Sequence, residues 1–391
     1  MTIRVLFVDH AGVLGGAELS LLDLIAAHAP DAAVILLADG PFRAALVARG
    51  VAVQVEPLSA LGTIRKAGRL PSIAALLDVV RLGRRIAAHA AAFDVLYANS
   101  QKAFVVTAIA GWLSKRPVVW HLRDILAAPH FSGPNVRAVV WLANRIASRV
   151  IANSDATARA FTAAGGDARL VRVVHNGIDA GPFDAVTDQA AHACRAELHV
   201  PRAVPLVVHV GRFHHWKGQQ VLLRALVHAP RVHAWIVGAA LFGEEAFAAE
   251  LRAACTRLGL DGRVQFLGIR TDIPLLMKAA DVVVHTSVYP EPFGRVVVEG
   301  MLAGRPVIAS RGGGVGEIVT DGETGWLVPP DQPEALAVAI NRVIDDPASA
   351  AAVAARGAAR ARRVFTRASM VGGVAAVVAE VAGRSTGVSG A

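Results

Sequence analysis

Residues 282–304 read VVVHTSVYPEPFGRVVVEGMLAG, and they hold two apolar runs separated by a short loop. The first run, Val282–His285, is short and almost wholly apolar, which is typical of a buried parallel strand. Prolines and Gly294 tighten the loop, and a helix is predicted to begin near Arg295. The stretch is therefore a strand–loop–helix unit, from which doubly wound parallel sheets are built.

The same alternation runs through the rest of the chain. Helical patterns such as Ala17–His28 and Ile73–His89 separate short apolar runs. The sequence therefore predicts an α/β fold with two successive doubly wound parallel sheets. The predicted strands are Ile3–Val8, Val34–Leu37, Val95–Tyr97, Val118–His121, Val150–Ala152 and Leu170–Val174, and then Leu206–Gly211, Ala234–Val237, Val264–Phe266, Val282–His285, Pro306–Ala309 and Trp326–Val328.

The stretch Asn176–Pro205 is rich in glycine and proline, which marks a boundary between two domains. We expect a first Rossmann-like domain over residues 1–180 and a second over 181–365. Residues 366–391 are predicted to form a C-terminal helix that packs back toward the first domain. Such sheets bind ligands at the carboxyl ends of their strands, so a cleft between the domains is the expected site.

Composition narrows the class of protein. The 391 residues are 54% hydrophobic and 18% charged, which excludes disorder as the main state. Two cysteines, Cys194 and Cys255, exclude a disulfide framework and a Cys-rich zinc site. No apolar run approaches the roughly 20 residues of a membrane-spanning helix, and the first residues read as a strand, not as a signal peptide. A cytoplasmic protein with reduced thiols is expected.

Positive charge is concentrated in the first half of the chain. Residues 1–183 hold 19 Lys and Arg against 12 Asp and Glu, whereas residues 184–391 hold 21 against 19. Such a basic half attracts an anionic membrane or an acidic substrate, or is simply a solvated surface. Nucleic acid is not an expected partner, because residues 65–85 have no aromatic side chain to stack on bases. One basic run has Asp78 as its single acid, and it consists of Arg65, Lys66, Arg69, Arg81, Arg84 and Arg85.

The loop and helix of residues 289–304 carry the most specific pattern. Glu291 lies before the predicted helix, and Glu299 lies about one turn inside it. The backbone N–H groups of Gly294, Arg295 and Val296 would face an anion at the helix N-terminus. Carboxylates accept hydrogen bonds from hydroxyls, so the two glutamates could each hold a sugar ring beside a diphosphate. The alternative is that Glu291 caps the helix and Glu299 is exposed.

A second loop, Gly211–Gly218, contains two cations five residues apart. Arg212 can bind two oxygens with its guanidinium, and Lys217 supplies a point charge, so the pair suits a diphosphate. The spacing does not match a Walker A loop. The alternative is a turn with solvated cations. His214 and His215 are adjacent and point apart, and no further ligands lie at useful spacing, so a metal site is not expected.

Other polar or glycine-rich positions follow strands of the first half. Gly15 and Gly16 permit close backbone approach to a phosphate or a sugar, although their spacing is not the dinucleotide fingerprint. His121 ends a strand, and Asn99 and Ser100 follow another, where they could hydrogen-bond a hydroxylated ligand. Each of these also fits an ordinary structural role.

The glycine-rich stretch Gly312–Gly316 follows a strand of the second half. Asp321–Gly325 reads as a turn into the next strand. Asp321 and Glu323 form the single D-x-E of the chain, which has no D-x-D.

Together these motifs resemble glycosyltransferase family 4, a retaining family of the GT-B fold. The resemblance rests on Gly15-Gly16-Ala-Glu18, the Gly211–Gly218 loop, Asn176-Gly-Ile-Asp179, the pair Glu291 and Glu299, and the segments Gly312–Glu317 and Asp321–Val328. It covers nearly the whole chain in order. It implies transfer of a hexose from a nucleotide-sugar to an acceptor hydroxyl, without a metal or another cofactor.

The resemblance also implies roles for individual residues. Arg212 and Lys217 would bind the donor diphosphate, with Gly15 and Gly16 beneath it. Glu299 would hold the ribose, and Glu291 and Phe293 the donor sugar, while His121 would lie beside the transferred sugar. Catalytic roles fall to His121 and Glu291, and acceptor-side roles to Glu18, Asn99 and Ser100. No carboxylate is placed as a nucleophile, so a front-face reaction is expected, in which the leaving phosphate accepts the acceptor proton.

Three departures from the family pattern stand out. Gly300 occupies a position that is often alanine, His121 is followed by Leu-Arg-Asp, and the loop after Val237 has few glycines. The donor base is therefore left open between UDP and GDP. Two alternative classes remain, a catalytically silent sugar- or nucleotide-binding protein and an NAD-dependent sugar-nucleotide enzyme.

The acceptor is expected to be a glycan, a lipid-linked molecule or a small molecule, in cell-envelope or secondary-metabolite glycosylation. Salt-sensitive peripheral association with the inner face of the cell membrane is the expectation for the basic half.

Overall fold

The computed structural model describes residues 3–28, 31–57, 73–128, 131–241 and 243–383. The chain divides into two compact units. Unit 1 comprises Met1–Gly177 and Arg367–Ala391, and unit 2 comprises Ile178–Thr366. The division follows Gly177, three residues before the boundary at 180 that the sequence predicts.

Unit 1 is built on a seven-stranded sheet with the order β3-β2-β1-β4-β5-β6-β7. All its pairings are parallel. Sequence analysis missed β3, a short edge strand whose side chains alternate between exposed and half-buried. The strands are β1 Val5–Asp9, β2 Ala32–Leu36, β3 Ala52–Val55, β4 Val95–Ala98, β5 Val118–Leu122, β6 Ala147–Ala152 and β7 Val171–Val173.

Helices connect these strands. Ser100 and Ser154 begin two of them, each accepting a hydrogen bond from a backbone N–H of the first turn. The helices are α1 Gly16–His28, α2 Pro41–Val47, α3 Ile73–Ala90, α4 Gln101–Ser114, α5 Gly133–Ile146 and α6 Asp155–Ala163.

Unit 2 has a six-stranded parallel sheet with the order β10-β9-β8-β11-β12-β13. Each predicted strand of the second half is present. The strands are β8 Leu206–Val210, β9 His233–Val237, β10 Val264–Gly268, β11 Val282–His285, β12 Val307–Ser310 and β13 Trp326–Val328. The helices are α7 Gly181–Asp184, α8 Asp188–Glu197, α9 Gln219–Val227, α10 Glu245–Arg257, α11 Ile273–Ala279, α12 Arg295–Leu302, α13 Val315–Ile318, α14 Pro333–Asp345 and α15 Pro347–Val364.

One helix packs especially close to the unit 2 sheet. A Cβ on Gly300, in α12, would come within 2.9 Å of side-chain carbons of both Val283 and Val307. Glycine at this position therefore lets α12 lie directly on strands β11 and β12, and it explains the departure from alanine.

The last helix, α16 (Arg367–Val381), returns to unit 1. It packs against α1 and β6, and its Met370, Val374 and Val378 join the apolar cluster around Phe7. Glu380 near its end accepts hydrogen bonds from Arg149 at 2.6 Å and Arg172 at 2.7 Å.

Part of the basic run lies on α3, where it is less isolated than the sequence suggests. Arg81 pairs with Asp78 at 3.2 Å, and Arg85 pairs with Glu56, beyond β3, at 2.8 Å. Arg65, Lys66 and Arg69 lie outside the described residues, as does the end of the predicted C-terminal helix, residues 384–391. None of the described helices has the length and apolar character to cross a lipid bilayer.

Candidate functional site

The loops after β8 and β11 of unit 2 are locked together at the carboxyl end of the sheet. Gly218 has a φ of 71°, and a Cβ there would lie 1.8 Å from the carbonyl oxygen of Thr286. Thr286 in turn donates its hydroxyl to the carbonyl of Gly218 at 2.8 Å. Because the backbones meet this closely, Lys217, beside Gly218, is held in a fixed place next to the β11 loop.

Lys217 reaches Glu291, which lies in the loop between β11 and α12. The Lys217 Nζ lies 2.5 Å from Glu291 Oε1, and the Ser287 hydroxyl donates to the same oxygen at 2.5 Å. His285 Nε2 is 3.4 Å from that oxygen and 3.1 Å from Ser287 Oγ. One carboxylate oxygen is thus surrounded by three side chains.

The surroundings fix the charge of Glu291. Burial raises the pKa of this carboxyl, but the Lys217 ammonium and the His285 side chain outweigh burial and hold it well below its usual range. Glu291 is therefore ionised at neutral pH. Its Oε2 has no hydrogen-bond partner among the described residues, so this oxygen is available to accept a hydrogen bond from a ligand hydroxyl.

The glycine cluster after β12 supports the backbone of Glu291. Gly313 has a φ of 59°, and a Cβ there would lie 2.0 Å from the carbonyl oxygen of Glu291. That carbonyl accepts the N–H of Gly314 at 2.8 Å. The glycines thus pack directly against the backbone of the Glu291 loop, and this packing fixes the position of the loop.

Helix α12 begins immediately after this loop. Gly294 precedes it with a φ of 107°, and no side chain caps the helix N-terminus. The first turn has no acidic residue, so its positive dipole end lacks a carboxylate of its own. Glu299 accepts a hydrogen bond from Arg295 Nε at 2.7 Å and is 13% exposed. Glu299 is therefore not the exposed helix residue that the alternative interpretation of the sequence predicted.

The other predicted residues of unit 2 differ in their placement. Arg212 lies with its guanidinium carbon 5.2 Å from the ring centroid of Trp216, and its carbonyl accepts from Gln219 at 2.9 Å. The ring of Phe293 is 3% exposed and packs edge-on against Phe365, with centroids 5.7 Å apart. The prediction that Phe293 binds the sugar is therefore not supported by its side chain, which is a core residue.

Unit 1 contains a buried polar network at the carboxyl ends of β1 and β4. Asn99 donates to Asp9 Oδ2 at 2.5 Å, and its own side-chain oxygen accepts from Arg123 at 2.8 Å. Arg123 also donates to Asn176 at 2.7 Å. Sequence analysis singled out Asn99 but missed Asp9 and Arg123 as its partners. The sequence signal that could have identified these partners was a charged residue at the end of an apolar strand.

His121, in β5, is fully buried and hydrogen-bonded through Nδ1 to the hydroxyl of Tyr97. Burial and the nearby charge of Arg123 lower its pKa well below the usual value, so the ring is neutral at pH 7. Its Nε2 has no partner within the described part of the chain. Ser100, by contrast, is occupied as the cap of α4, where it accepts the N–H of Ala103 at 3.2 Å.

Glu18 lies in the first turn of α1 and folds back onto the loop before it. Its Oε2 accepts the N–H of Gly15 at 2.9 Å, and a Cβ on Gly15 would lie 2.8 Å from that oxygen. Burial and the charge of Asp9 raise the pKa of Glu18 to about 7. Gly15 therefore leaves room for Glu18, and this carboxyl shapes the loop that precedes Gly16.

Comparison with known proteins covers both units. Residues 14–181 match the model described as Glycosyltransferase Family 4, and residues 193–360 match that of Glycosyl transferases group 1. The chain is similar to HepE from Anabaena in crystal structures with UDP and glucose and with UDP-glucose. The structure with UDP and glucose is 41% identical with a TM-score of 0.89, covering 96% of this chain and 99% of that one.

Two curated relatives match about half of the chain. Lipopolysaccharide core biosynthesis glycosyltransferase LpsE from Rhizobium meliloti is 34% identical over 189 residues, which are 48% of this chain and 52% of LpsE. D-inositol 3-phosphate glycosyltransferase from Corynebacterium kroppenstedtii is 35% identical over 188 residues, 46% of this chain and 42% of the relative. The match thus spans about half the length of these curated relatives.

Proposed function

The chain belongs to glycosyltransferase family 4, with the GT-B type of fold, and on that premise we propose that it transfers a hexose from a UDP-sugar to an acceptor hydroxyl. The observation that carries the proposal is the arrangement of Glu291, ionised, held through one oxygen and free at the other. The similarity to HepE, crystallised with UDP-glucose, makes UDP-glucose the first donor to test.

We propose that the diphosphate binds at the N-terminus of α12. The uncapped helix end offers backbone N–H groups at Gly294, Arg295 and Val296, and the helix dipole favours an anion there. Lys217 and Arg212 supply positive charge from the neighbouring loop. Lys217 is paired with Glu291, so a bound phosphate competes with that carboxylate for the ammonium group.

Glu291 then binds the donor sugar through Oε2, and Glu299 binds the ribose. The bonds that hold Glu291 Oε1 fix the carboxylate before the donor arrives, so little side-chain entropy is lost on binding. Glu299 is oriented by Arg295 in the same way. We assign the neutral ring of His121 to a sugar hydroxyl, and Glu18 and Asn99 to the acceptor side.

The proposed reaction retains the anomeric configuration and needs no metal. The bond between the anomeric carbon and the donor phosphate oxygen breaks, the acceptor oxygen bonds to the same face of that carbon, and the acceptor proton passes to the leaving phosphate. Lys217 and the α12 N-terminus stabilise the charge that develops on the diphosphate. Trapping of a covalent glycosyl–enzyme intermediate would contradict this front-face route.

The acceptor is proposed to be a cell-envelope glycan or glycolipid. The name of LpsE, a lipopolysaccharide core biosynthesis glycosyltransferase, supports that class of acceptor. Arg84 on α3, and the rest of the basic run, are proposed to bring the protein to an anionic membrane surface.

Calorimetry with UDP, GDP and ADP, each with and without its sugar, tests the donor site. We expect UDP to bind most tightly and Lys217→Ala to weaken it by at least about tenfold, the equivalent of one charge-assisted contact. The control is Arg257→Ala, an exposed cation on α10. Absence of binding by any nucleotide would favour the catalytically silent alternative, and product NMR decides between retention and inversion.

A further inference from the structure

Unit 2 contains a cavity of about 170 Å³ at the end of its sheet opposite to Glu291. Asp281, which lines the cavity, directly precedes β11, and Arg305 lies two residues before β12. Glu291, by contrast, follows β11. The cavity is therefore separate from the donor site proposed above.

The cavity is lined mainly by charged side chains. They comprise four cations and two carboxylates, a formal charge of +2 with His192 neutral, from Arg195, Arg202, Lys278, Arg305, Asp188 and Asp281. Both carboxylates already have a cation. Arg195 lies 3.0 Å from Asp281, and Lys278 lies 3.6 Å from Asp188. The other two cations, Arg202 and Arg305, have no carboxylate within 4 Å among the described residues.

The guanidinium groups of two arginines in the cavity, one buried and one half-buried, are incompletely satisfied. Arg195 is 5% exposed, and its Nε has no acceptor among the residues that the structure describes; the same holds for Nε of Arg305. The Nη2 of Arg305 donates to the carbonyl of Lys278. Burial lowers the pKa of Arg305 despite the attraction of Asp281 and Asp188, so its positive charge is not fully compensated.

We propose that this cavity binds a phosphate dianion, free or as a phosphomonoester, held by the guanidinium groups of Arg305 and Arg202. The volume is below the roughly 300–1,000 Å³ of sites for larger organic ligands, which excludes a whole nucleotide and fits a small oxyanion. Guanidinium groups bind phosphate oxygens in pairs, and a dianion matches the surplus of two positive charges.

Calorimetric titration of the full chain with inorganic phosphate, at constant ionic strength, tests the proposal. We expect saturable binding that weakens by at least about tenfold in Arg202→Gln and in Arg305→Gln, the equivalent of one lost charge-assisted contact. Arg257→Gln, which removes an exposed charge elsewhere in unit 2, is expected to bind phosphate like the unmodified protein. Arg202 is exposed, so its variant remains informative if Arg305→Gln does not fold.

A second background separates this cavity from the donor site. In Lys217→Ala, phosphate binding at the cavity is expected to persist, and UDP binding to weaken by at least about tenfold. Absence of saturable phosphate binding, an equal loss in Arg257→Gln, or loss in Lys217→Ala alone would each overturn the proposal. Methyl phosphate distinguishes the two sources of the anion. Equal affinity indicates a phosphomonoester, whereas much weaker binding indicates free phosphate.

Discussion

Lys217 and Glu291 are 74 residues apart in the sequence, yet the Lys217 ammonium lies 2.5 Å from the Glu291 carboxylate. The two residues follow β8 and β11, which are neighbours in the sheet of unit 2. Both loops leave the carboxyl ends of parallel strands, so the sheet order alone places them together. The contact pairs a cation and a carboxylate that the donor is proposed to bind through different groups, the diphosphate and the sugar.

Replacing Glu291 by Gln is expected to reduce kcat/KM for UDP-glucose by at least about 100-fold, because a neutral amide accepts hydrogen bonds more weakly than a carboxylate. UDP lacks the sugar, and Gln no longer competes for the Lys217 ammonium, so the affinity for UDP should stay the same or rise by up to about threefold. Initial rates and calorimetry measure the two quantities. Glu250→Gln, on the exposed face of α10, is the control. A parallel loss of UDP binding would place Glu291 at the diphosphate instead.

Removal of the Ser287 hydroxyl is expected to loosen Glu291 without changing its charge. Ser287→Ala should raise KM for UDP-glucose by about fivefold to tenfold, the equivalent of one hydrogen bond, and leave UDP affinity unchanged. Comparison of KM with the calorimetric affinity for UDP checks this. An equal weakening of both ligands would show that Ser287 supports the whole loop.

Gly218→Ala is expected to destabilise unit 2 and weaken UDP binding, because its Cβ would lie 1.8 Å from the Thr286 carbonyl oxygen. Gly259 is the matched control. It has a similar φ of 67°, and nothing lies within 4 Å of its added Cβ. Gly259→Ala should cost only the left-handed strain of about 1–2 kcal/mol. Denaturant unfolding of both variants measures the difference, and equal costs would contradict the close approach.

Glu18 is expected to make unit 1 less stable as pH rises. Its pKa is raised from 4.5 to about 7 in the folded chain, so the folded state holds the proton more tightly than the unfolded state. This contribution is present below pH 4.5 and is lost as pH rises toward 7. Glu18→Gln should remove that slope. Thermal unfolding of both proteins from pH 4.5 to 8 tests it, and identical slopes would contradict the raised pKa.

Sequence patterns predicted twelve of the thirteen described strands and missed β3. Val282–His285 has the same bounds in the prediction and in the structure, because a strand buried on both faces reads as one apolar run. Ala52–Val55 escaped because it is short and only half-buried. Local pattern therefore suffices for the central strands, and of the four edge strands it found β7, β10 and β13 and missed β3.

The residues of the site fall into two groups, those positioned by neighbours in the sequence and those positioned by contacts between distant residues. The positions of Glu291, Gly294 and Glu299 around α12 follow from spacing along one loop and helix. The contacts of Asn99 with Asp9 and Arg123 join residues 90 and 24 apart, which no local pattern encodes. The burial of the Phe293 ring also lay beyond local pattern, because a motif gives a residue's position in the chain and not the direction of its side chain.

The path of the chain has a consequence for how the protein can be divided. Unit 2 is one continuous segment, and its two ends meet, since the Ile178 N–H donates to the Phe365 carbonyl at 2.9 Å. In the sequence, unit 2 is inserted between the two segments of unit 1. Helix α16, in the second of these segments, completes the core around Phe7. During synthesis on the ribosome, the core of unit 1 cannot be completed until α16 has been made. Unit 2 can therefore fold first, although its segment begins later in the chain. Residues 178–366 are thus the fragment expected to fold when expressed alone. An amino-terminal fragment that ends at Gly177 lacks α16 and would leave an apolar face uncovered.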